Sequence, residues 1–195
     1  MKNNLSSEIR CMGNKCHRRD CIQINTLSIV PFDNTDVELS KLLSFFLHEA
    51  PDIESRLSPK LERHSHNDLF SNMIKDSGYN AGHFCASNAT IEKELAKVYL
   101  QGTSICLKCK RYVCKRRETK KGRSPETDLD CFLRHIRNAI AHGNVFAYKT
   151  KQCTYILFED YNNKNNKSAR IICVKNDLKK WRRLLKIATE STMIP

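Results

Sequence analysis

Apolar residues recur three or four positions apart in several parts of the chain, and this spacing predicts amphipathic helices. Five segments show it: residues 36–50, 67–75, 90–102, 125–142 and 177–188. Pro51, Gly78 and Gly102 stand at or near the ends of the first three segments, where a helix is expected to stop. The pattern therefore predicts a mainly α protein.

A different pattern precedes the last predicted helix. The apolar runs Cys153–Glu159 and Ala169–Val174 flank an asparagine-rich polar loop, as the two strands of a β-hairpin do. Residues 103–125 lack periodic apolar positions, and we interpret them as a basic, cysteine-containing excursion. We expect residues 1–35 to form a weakly structured N-terminal segment and residues 36–195 to form one domain.

Length and composition limit the classes of protein to consider. At 195 residues the chain suits a single domain. It has no uninterrupted apolar stretch of the roughly 18 residues that a membrane-spanning helix needs, and its first residues lack the apolar core of a secretory signal. We therefore expect a cytoplasmic protein that does not associate with a membrane.

The net charge of +13 is concentrated in two segments of the chain. Residues 103–125 and residues 164–186 each contain nine Lys or Arg and one acidic residue, so the rest of the chain is slightly acidic. Local basicity of this kind favours binding to a polyanion such as a nucleic acid. A solvated helix face or a disordered basic arm would have the same composition.

The predicted helix at residues 125–142 has one apolar and one polar side on a helical wheel, on which successive residues are about 100° apart. Its core side carries Leu129, Phe132, Leu133, Ile136 and Ile140. The opposite side carries Arg134, His135, Asn138 and His142, with Arg137 between the two sides. The helix thus presents arginine, asparagine and histidine to its surroundings and ends at Gly143, a suitable C-terminal cap.

Such side chains could cleave RNA without a metal ion, because RNA supplies its own nucleophile, the 2′-hydroxyl. Histidine titrates near neutrality and can give or take a proton. Arginine has a planar fork of donors that suits phosphate oxygens, and asparagine can orient a hydroxyl, phosphate or imidazole group. On an ideal helix, however, Arg137 and His142 point about 140° apart. Either the helix loosens before Gly143, or two copies of the chain build the site between them.

The signature of the HEPN superfamily is an arginine, a polar residue, a few variable residues and then a histidine, late in a helix. The sequence RNAIAH at residues 137–142 resembles this signature, with asparagine as the polar residue. Its neighbours, residues 133–136 and 143–144, also resemble those of prokaryotic members. The resemblance is firm over the motif helix and looser over the later hairpin and final helix.

The resemblance implies a HEPN-like helical bundle, with one β-hairpin before the C-terminal helix, that forms a homodimer through its motif helices. It implies a metal-independent endoribonuclease that needs no cofactor and leaves a 2′,3′-cyclic phosphate. His142 would be the acid–base group, Arg137 would bind phosphate, and Asn138 would orient them, while we expect Arg134 to contact the RNA. Such enzymes commonly act in toxin–antitoxin and antiviral systems, so an antitoxin protein is a further candidate partner.

Ten cysteines raise the alternative of a zinc centre. The closely spaced candidates form two sets: Cys106, Cys109 and Cys114, and Cys11, Cys16, His17 and Cys21. Thiolates from both sets could bind zinc tetrahedrally. Neither set alone contains two CxxC pairs, or a CxxC with a well-spaced pair of histidines. We therefore expect reduced thiols and no metal, and keep zinc as the less favoured alternative.

Two other functions fit the same sequence. The first is a non-catalytic module that binds nucleic acid through the basic segments 103–125 and 164–186, with or without stabilising zinc. The second is a purely structural helical protein that binds a partner. Cleavage of RNA, binding without cleavage, and the absence of both would separate the three.

Overall fold

The computed structural model describes residues 22–26, 29–51, 61–119, 121–122 and 124–191, and these contain five α-helices and eight β-strands. The helices are α1 (Val37–Ser44), α2 (His66–Ser77), α3 (Ile91–Lys97), α4 (Asp128–Ala141) and α5 (Lys175–Ser191). The strands are β1 (Gln23–Asn25), β2 (Val30–Pro31), β3 (Ala81–Cys85), β4 (Ser104–Cys106), β5 (Arg111–Lys115), β6 (Val145–Lys149), β7 (Thr154–Tyr161) and β8 (Lys167–Val174). A π-helical turn, Phe45–Glu49, continues α1.

Six strands form one mixed sheet in the order β2-β6-β7-β8-β5-β3. Its neighbouring strands are antiparallel, except that β3 and β5 run parallel with Gly82 opposite Tyr112. A Cβ atom at Gly82 would collide with the Tyr112 ring, so the absence of a side chain permits this close approach. Strands β1 and β4 form a separate antiparallel pair.

Both faces of the large sheet are buried, so alternate residues of its central strands enter different apolar clusters. Ile156 and Phe158 of β7 face a layer of helices, where Phe132 of α4 and Trp181 of α5 have no exposed surface. Leu157 faces the other way, toward residues of α3 and β4. The protein therefore has three layers: the helices α1, α2, α4 and α5, the six-stranded sheet, and a smaller layer around α3.

This α/β architecture shows that the prediction of a mainly α, HEPN-like helical bundle was wrong. The predicted hairpin exists as β7 and β8, but it forms the middle of a six-stranded sheet. Strands β3, β5 and β6 were not predicted, because their apolar stretches are short. Glycine or basic residues lie within these stretches or next to them. They are strands because their neighbours supply hydrogen bonds and packing, and a local apolar pattern does not contain that information.

The segment 103–125, interpreted from sequence as an excursion, contributes β4 and β5. Strand β5 lies inside the sheet between β8 and β3, and Val113 and Cys114 are fully buried on its opposite faces. Parts of this segment are therefore strands, and its description as an excursion of the domain stays a prediction. Within the predicted N-terminal segment 1–35, Val30 and Pro31 pair with β6. The proposed division of the chain at residue 35 stays a prediction.

The predicted helices correspond to observed ones, with shifted ends. The predictions at 36–50, 67–75, 90–102, 125–142 and 177–188 correspond to α1 with its π-helical turn, α2, α3, α4 and α5. Helix α3 ends at Lys97, five residues before the predicted glycine stop. In the described ranges, no helix combines the length and the apolar character that crossing a membrane requires.

Candidate active site

Helix α4 carries the predicted site residues, and local hydrogen bonds fix both of its ends. Thr127 and Asp130 form a capping box, in which the Asp130 amide donates to the Thr127 hydroxyl oxygen (3.2 Å) and the Thr127 amide donates to the Asp130 carboxylate (3.3 Å). At the other end, the amides of Gly143 and Asn144 donate to carbonyl oxygens of the last turn. Gly143 has φ +70°, which confirms the predicted glycine cap.

The apolar side of α4 packs into the helical layer as predicted. Its buried residues include Leu129, Phe132, Leu133 and Ile136, and Ile140 is partly buried against the same cluster. The Phe132 ring lies 5.4 Å from Phe70, 5.4 Å from Tyr112 and 5.3 Å from Trp181, measured between centroids. These edge-to-face contacts fix the rotation of α4 about its axis.

Arg137 reaches from α4 to the end of the π-helical turn. Its Nη2 atom donates to the carbonyl oxygen of Ala50 at 2.8 Å and also to that of Pro51. Ala50 is the C-terminal cap of the turn, so the positive charge lies where helix carbonyls are exposed and where a cation is favourable. The half-buried guanidinium is thereby held in a defined position.

His142 is the C-terminal cap residue of α4, and it is exposed. Its backbone amide donates to the Asn138 carbonyl oxygen at 2.9 Å, which fixes the position of the residue. Within the described part of the chain, no hydrogen bond holds its imidazole. This side chain can therefore meet a ligand without breaking such a contact.

Asn138 belongs to a buried polar network between α4 and the sheet. Its Nδ2 donates to Oδ2 of Asp160 on β7 at 3.1 Å. His135 contacts the same Oδ2 through Nδ1 at 2.6 Å and the Lys115 carbonyl oxygen of β5 through Nε2 at 2.8 Å. His135 is 1% and Asp160 is 2% exposed. The network therefore joins α4 to two strands inside the protein.

The contacts of this network fit an imidazolium paired with a carboxylate. Both ring nitrogens of His135 face acceptors, so both are assigned a proton. Asp160 also accepts from the Asn138 side chain and from the Tyr161 amide (2.9 Å), as an ionised carboxylate does.

Burial and hydrogen bonding act in opposite directions on this pair. Burial alone would raise the pKa of Asp160, but the hydrogen bonds from His135 and Asn138 outweigh it and hold that pKa below its ordinary value. Burial outweighs the opposing effect of the Asp160 carboxylate and holds the pKa of His135 below its ordinary value. The two acceptors around the ring act against this shift, because each is placed to accept a ring proton.

Sequence reasoning placed His135 on the displayed side of α4 and did not single out Asp160. A helical wheel gives the direction of a side chain but does not show which element covers that side, and here the sheet covers it. One signal was available in the sequence. Asp160 directly follows the predicted strand Cys153–Glu159, and a carboxylate at the end of a buried apolar run needs a partner.

Arg134 forms a two-pronged ion pair with Glu126. Its Nε donates to Oε1 at 2.6 Å and its Nη2 to Oε2 at 2.9 Å, with side-chain exposures of 13% and 11%. Nη2 also donates to the Lys115 carbonyl oxygen at 2.9 Å. The guanidinium thus attaches α4 to β5 through the geometry that suits it best. Contact of Arg134 with RNA stays a prediction.

The four predicted site residues therefore differ in their surroundings. Asn138 and Arg134 take part in internal contacts with the sheet and with Glu126, and Arg137 is held at the π-helical turn. His142 is the exposed member. In the described chain no hydrogen bond joins Arg137 to His142, as the angle between them on the helix predicts.

Several basic residues of the segments 103–125 and 164–186 are used inside the protein. Arg111 and Arg170 are buried and donate to backbone carbonyl oxygens, and Arg170 also pairs with Glu159 at 2.5 Å. Lys110 pairs with Asp177 at 3.2 Å. The exposed basic residues include Arg117, Lys121, Lys164, Lys179 and Arg183. The basic surface is therefore smaller than the count of basic residues indicates.

Helix α4 carries arginine, asparagine and histidine at the spacing of the HEPN motif, and the hairpin of β7 and β8 and the long helix α5 follow it. The sequence profile of the family HEPN pEK499 p136 matches residues 72–191, and the chain belongs to this family. The match covers more than half of the chain and includes α4. Comparison with curated proteins and with solved structures gave no match.

Family membership confirms the HEPN resemblance that the motif indicated. Because the HEPN family is generally associated with ribonucleases, it also supports a ribonuclease-like role in coarse terms. The matched region begins within α2 and ends with α5, so it contains five of the six strands of the large sheet. The sheet is therefore part of the family region together with the motif helix.

Proposed function

We propose that this protein is a metal-independent endoribonuclease that uses His142 and Arg137 at a site formed between two copies of the chain. The observation that carries the proposal is His142, an exposed imidazole that caps the HEPN motif helix five positions after Arg137. Asn138 donates to Asp160, so its contribution is to hold α4 in place for these two residues.

The proposed reaction uses the 2′-hydroxyl of RNA as the nucleophile. His142 takes the proton of this hydroxyl as its oxygen bonds to the adjacent phosphorus, and the bond from phosphorus to the 5′-oxygen breaks. The departing 5′-oxygen receives a proton from a water molecule, and the His142 imidazolium afterwards returns its proton to solvent. The products are a 2′,3′-cyclic phosphate and a 5′-hydroxyl. The Arg137 guanidinium stabilises the charge that builds on the phosphate oxygens.

The placement of the two residues supports a site that is shared between copies. In one chain Arg137 is held at the carbonyls of Ala50 and Pro51, whereas His142 is exposed at the end of the helix. A two-fold contact between the ends of two α4 helices would bring Arg137 of one copy to His142 of the other. Ala141 and Gly143 are exposed on either side of His142, which leaves this end open for such a contact.

In the cell we propose a role in defence or in a toxin–antitoxin pair, in which an antitoxin protein restrains the nuclease. The exposed basic residues, among them Arg117, Lys121 and Arg183, supply charge for contact with the RNA backbone. Contact of this kind positions the RNA but carries little information about its sequence. Base preference would therefore come from contacts close to His142.

Incubation of the purified protein with a mixed-sequence RNA in EDTA tests the activity. We expect cleavage that leaves 2′,3′-cyclic phosphate ends, identified by mass spectrometry of the fragments. Circular dichroism of the same sample shows whether the chelator has left the fold intact. Salt-sensitive binding without cleavage would instead support the non-catalytic nucleic-acid-binding module. The absence of both binding and cleavage by a folded protein would contradict both functions.

Mixing two inactive variants tests whether the site is shared. We expect His142→Ala and Arg137→Gln each to be inactive alone. After subunit exchange, a mixed dimer combines the intact Arg137 of one chain with the intact His142 of the other, so activity should return to about one quarter of the wild-type value. Melting curves of both variants provide the control, since Arg137 also binds Ala50 and Pro51. No recovery by two folded variants would argue against a shared site.

A further inference from the structure

We propose that the turn between β7 and β8, residues 162–166, selects the RNA substrate by contacting unpaired bases, so that the protein cuts single-stranded RNA. The side-chain amides of Asn163 and Asn166 would determine which base stands next to the cleaved phosphate. This inference rests on the proposed nuclease function, because it assigns a base-reading element to that same site.

The backbone of this turn is held by its own hydrogen bonds. The Asn162 amide donates to the Asn166 carbonyl oxygen at 2.8 Å, and the Asn165 amide donates to the Asn162 carbonyl oxygen at 2.8 Å. The Asn162 side chain adds two contacts, since its Oδ1 accepts from the amides of Lys164 (2.9 Å) and Asn166 (3.0 Å). The turn therefore presents its other side chains from defined positions, which lowers the entropy cost of binding a ligand.

Backbone structure explains only two of the four asparagines in this turn. Asn162 accepts the two amides described above, and Asn165 has φ +57°, a conformation that asparagine tolerates better than most residues. The side chains of Asn163 and Asn166 have no such part in the turn. Both residues are exposed, and their side-chain amides form no hydrogen bond within the described chain. These two amides are therefore available to a ligand.

Asn138 connects the turn with the proposed nuclease site. Its Nδ2 donates to Asp160, two residues before the turn begins, and its carbonyl oxygen accepts from the His142 amide one helical turn later. One helical turn advances about 5.4 Å, and two residues of a strand advance about 7 Å. An RNA strand with one phosphate at His142 therefore has neighbouring nucleotides within reach of the turn.

The charges of the hairpin favour a polyanion at this end. Lys164 is exposed between the two available asparagines and pairs with no acidic residue in the described chain. The acidic residues of the hairpin are buried and paired: Glu159 contacts Arg170 at 2.5 Å, and Asp160 contacts His135 at 2.6 Å. A phosphate group at the turn would therefore meet the Lys164 ammonium group and no exposed carboxylate of the hairpin.

An asparagine amide suits the edge of an unpaired base. It offers two donors and an acceptor, and so it can form the paired hydrogen bonds by which bases are distinguished. The major groove of double-stranded RNA is too deep and narrow for side chains, so sequence-specific recognition acts mainly on single strands. Two available amides with a lysine between them therefore favour unpaired RNA as the substrate.

Cleavage by the Asn163→Ala, Asn166→Ala double variant tests this selection. The substrates are single-stranded oligonucleotides that differ in one base next to the cut. We expect the wild-type kcat/KM to differ between the best and the worst base by about 5- to 100-fold, the discrimination that one paired amide contact supplies. In the double variant this ratio should fall close to one, while the worst substrate is cut at its wild-type rate. Damage to the fold or to the His142 site would instead slow the cleavage of every substrate.

Gln152→Ala is the matched control for the double variant. It removes an exposed amide from the connection between β6 and β7, at the opposite end of β7. We expect this control to keep the wild-type ratio. A folded double variant that also keeps the ratio would overturn the role of the turn and leave the nuclease proposal intact. A wild-type enzyme that cuts all bases, or single-stranded and duplex RNA, equally well would do the same.

Photo-crosslinking gives a result even if the protein cuts no RNA. The His142→Ala variant is irradiated with a single-stranded oligonucleotide that contains a photoreactive thiouridine, and peptide mass spectrometry locates the crosslinks. We expect crosslinks in residues 162–166, and fewer of them when the oligonucleotide is annealed to its complement. Such crosslinks, with a wild-type protein that does not cleave, would support an RNA-binding turn and contradict the nuclease. Crosslinks only elsewhere, or equal crosslinks with the duplex, would overturn the proposal.

Discussion

Replacement of His142 by alanine is expected to lower the rate of RNA cleavage by a factor of about 10²–10⁴, the range typical for loss of a general acid or base. The imidazole is exposed at the end of α4 and makes no hydrogen bond within the described part of the chain. Its removal should therefore leave the melting temperature close to that of the wild-type protein. Single-turnover cleavage of a labelled RNA and a thermal melt measure the two quantities.

A matched control for this variant is His64→Ala. His64 is 80% exposed and contacts Glu62 on the surface, away from α4 in the sequence. We expect this variant to cleave RNA at the wild-type rate. If His142→Ala also cleaves at that rate, His142 is not the acid–base group, and the proposed mechanism fails even if the protein is a nuclease.

The second large effect concerns the buried pair of His135 and Asp160. We expect Asp160→Asn to lower the free energy of unfolding by about 3–5 kcal/mol, as is typical when one partner of a buried ion pair is removed. Asparagine keeps the shape of the side chain but removes the charge that pairs with the buried imidazole. The loss is therefore that of the buried charge pair, not of the shape of the site. Urea unfolding of the two proteins measures the difference.

The loss of unfolding free energy in Asp160→Asn should become smaller as the pH falls. The folded protein holds the pKa of Asp160 below the ordinary carboxyl value of 3.8, because hydrogen bonds from His135 and Asn138 outweigh the effect of burial. Its contribution to stability is therefore complete above pH 3.8 and is lost as the pH falls through the folded value. The difference between wild type and variant should shrink in acid.

Asp128→Asn is the matched control for this second effect. Asp128 pairs with Arg116 near the start of α4, but its side chain is 38% exposed. An exposed pair contributes about 0–1 kcal/mol, so the loss should be much smaller than that at Asp160. Equal losses in the two variants would show that the buried network has no special part in attaching α4.

The sequence contained enough information to locate the helices and the central hairpin. Apolar residues such as Phe132 and Ile136 recur with the helical period, and the runs around Ile156 and Ile172 are apolar throughout because both faces of the sheet are buried. Strand β3 offered no such signal, since Gly82 and His83 interrupt its short apolar stretch. It is a strand because β5 lies beside it, and that neighbour is distant in the sequence.

The site was predictable to a similar extent. The exposure of the His142 end of α4 and the cap at Gly143 followed from the sequence, because both depend on local geometry. The attachment of Arg137 to Ala50, and the burial of His135 against Asp160, depend on which elements pack around α4. A helical wheel has no information on such neighbours.

The strand order also constrains when the protein can be completed during its synthesis. Strand β5 lies between β3 and β8 in the sheet, yet a ribosome makes β8 well after β5 and after α4. Until β7 and β8 have left the ribosome, β5 lacks one of its two neighbours and His135 lacks Asp160. The motif helix therefore becomes fixed only after β8 has been made. For a chain proposed to cut RNA, the order of synthesis itself delays assembly of the site until the two strands that follow α4 in the central hairpin have been made.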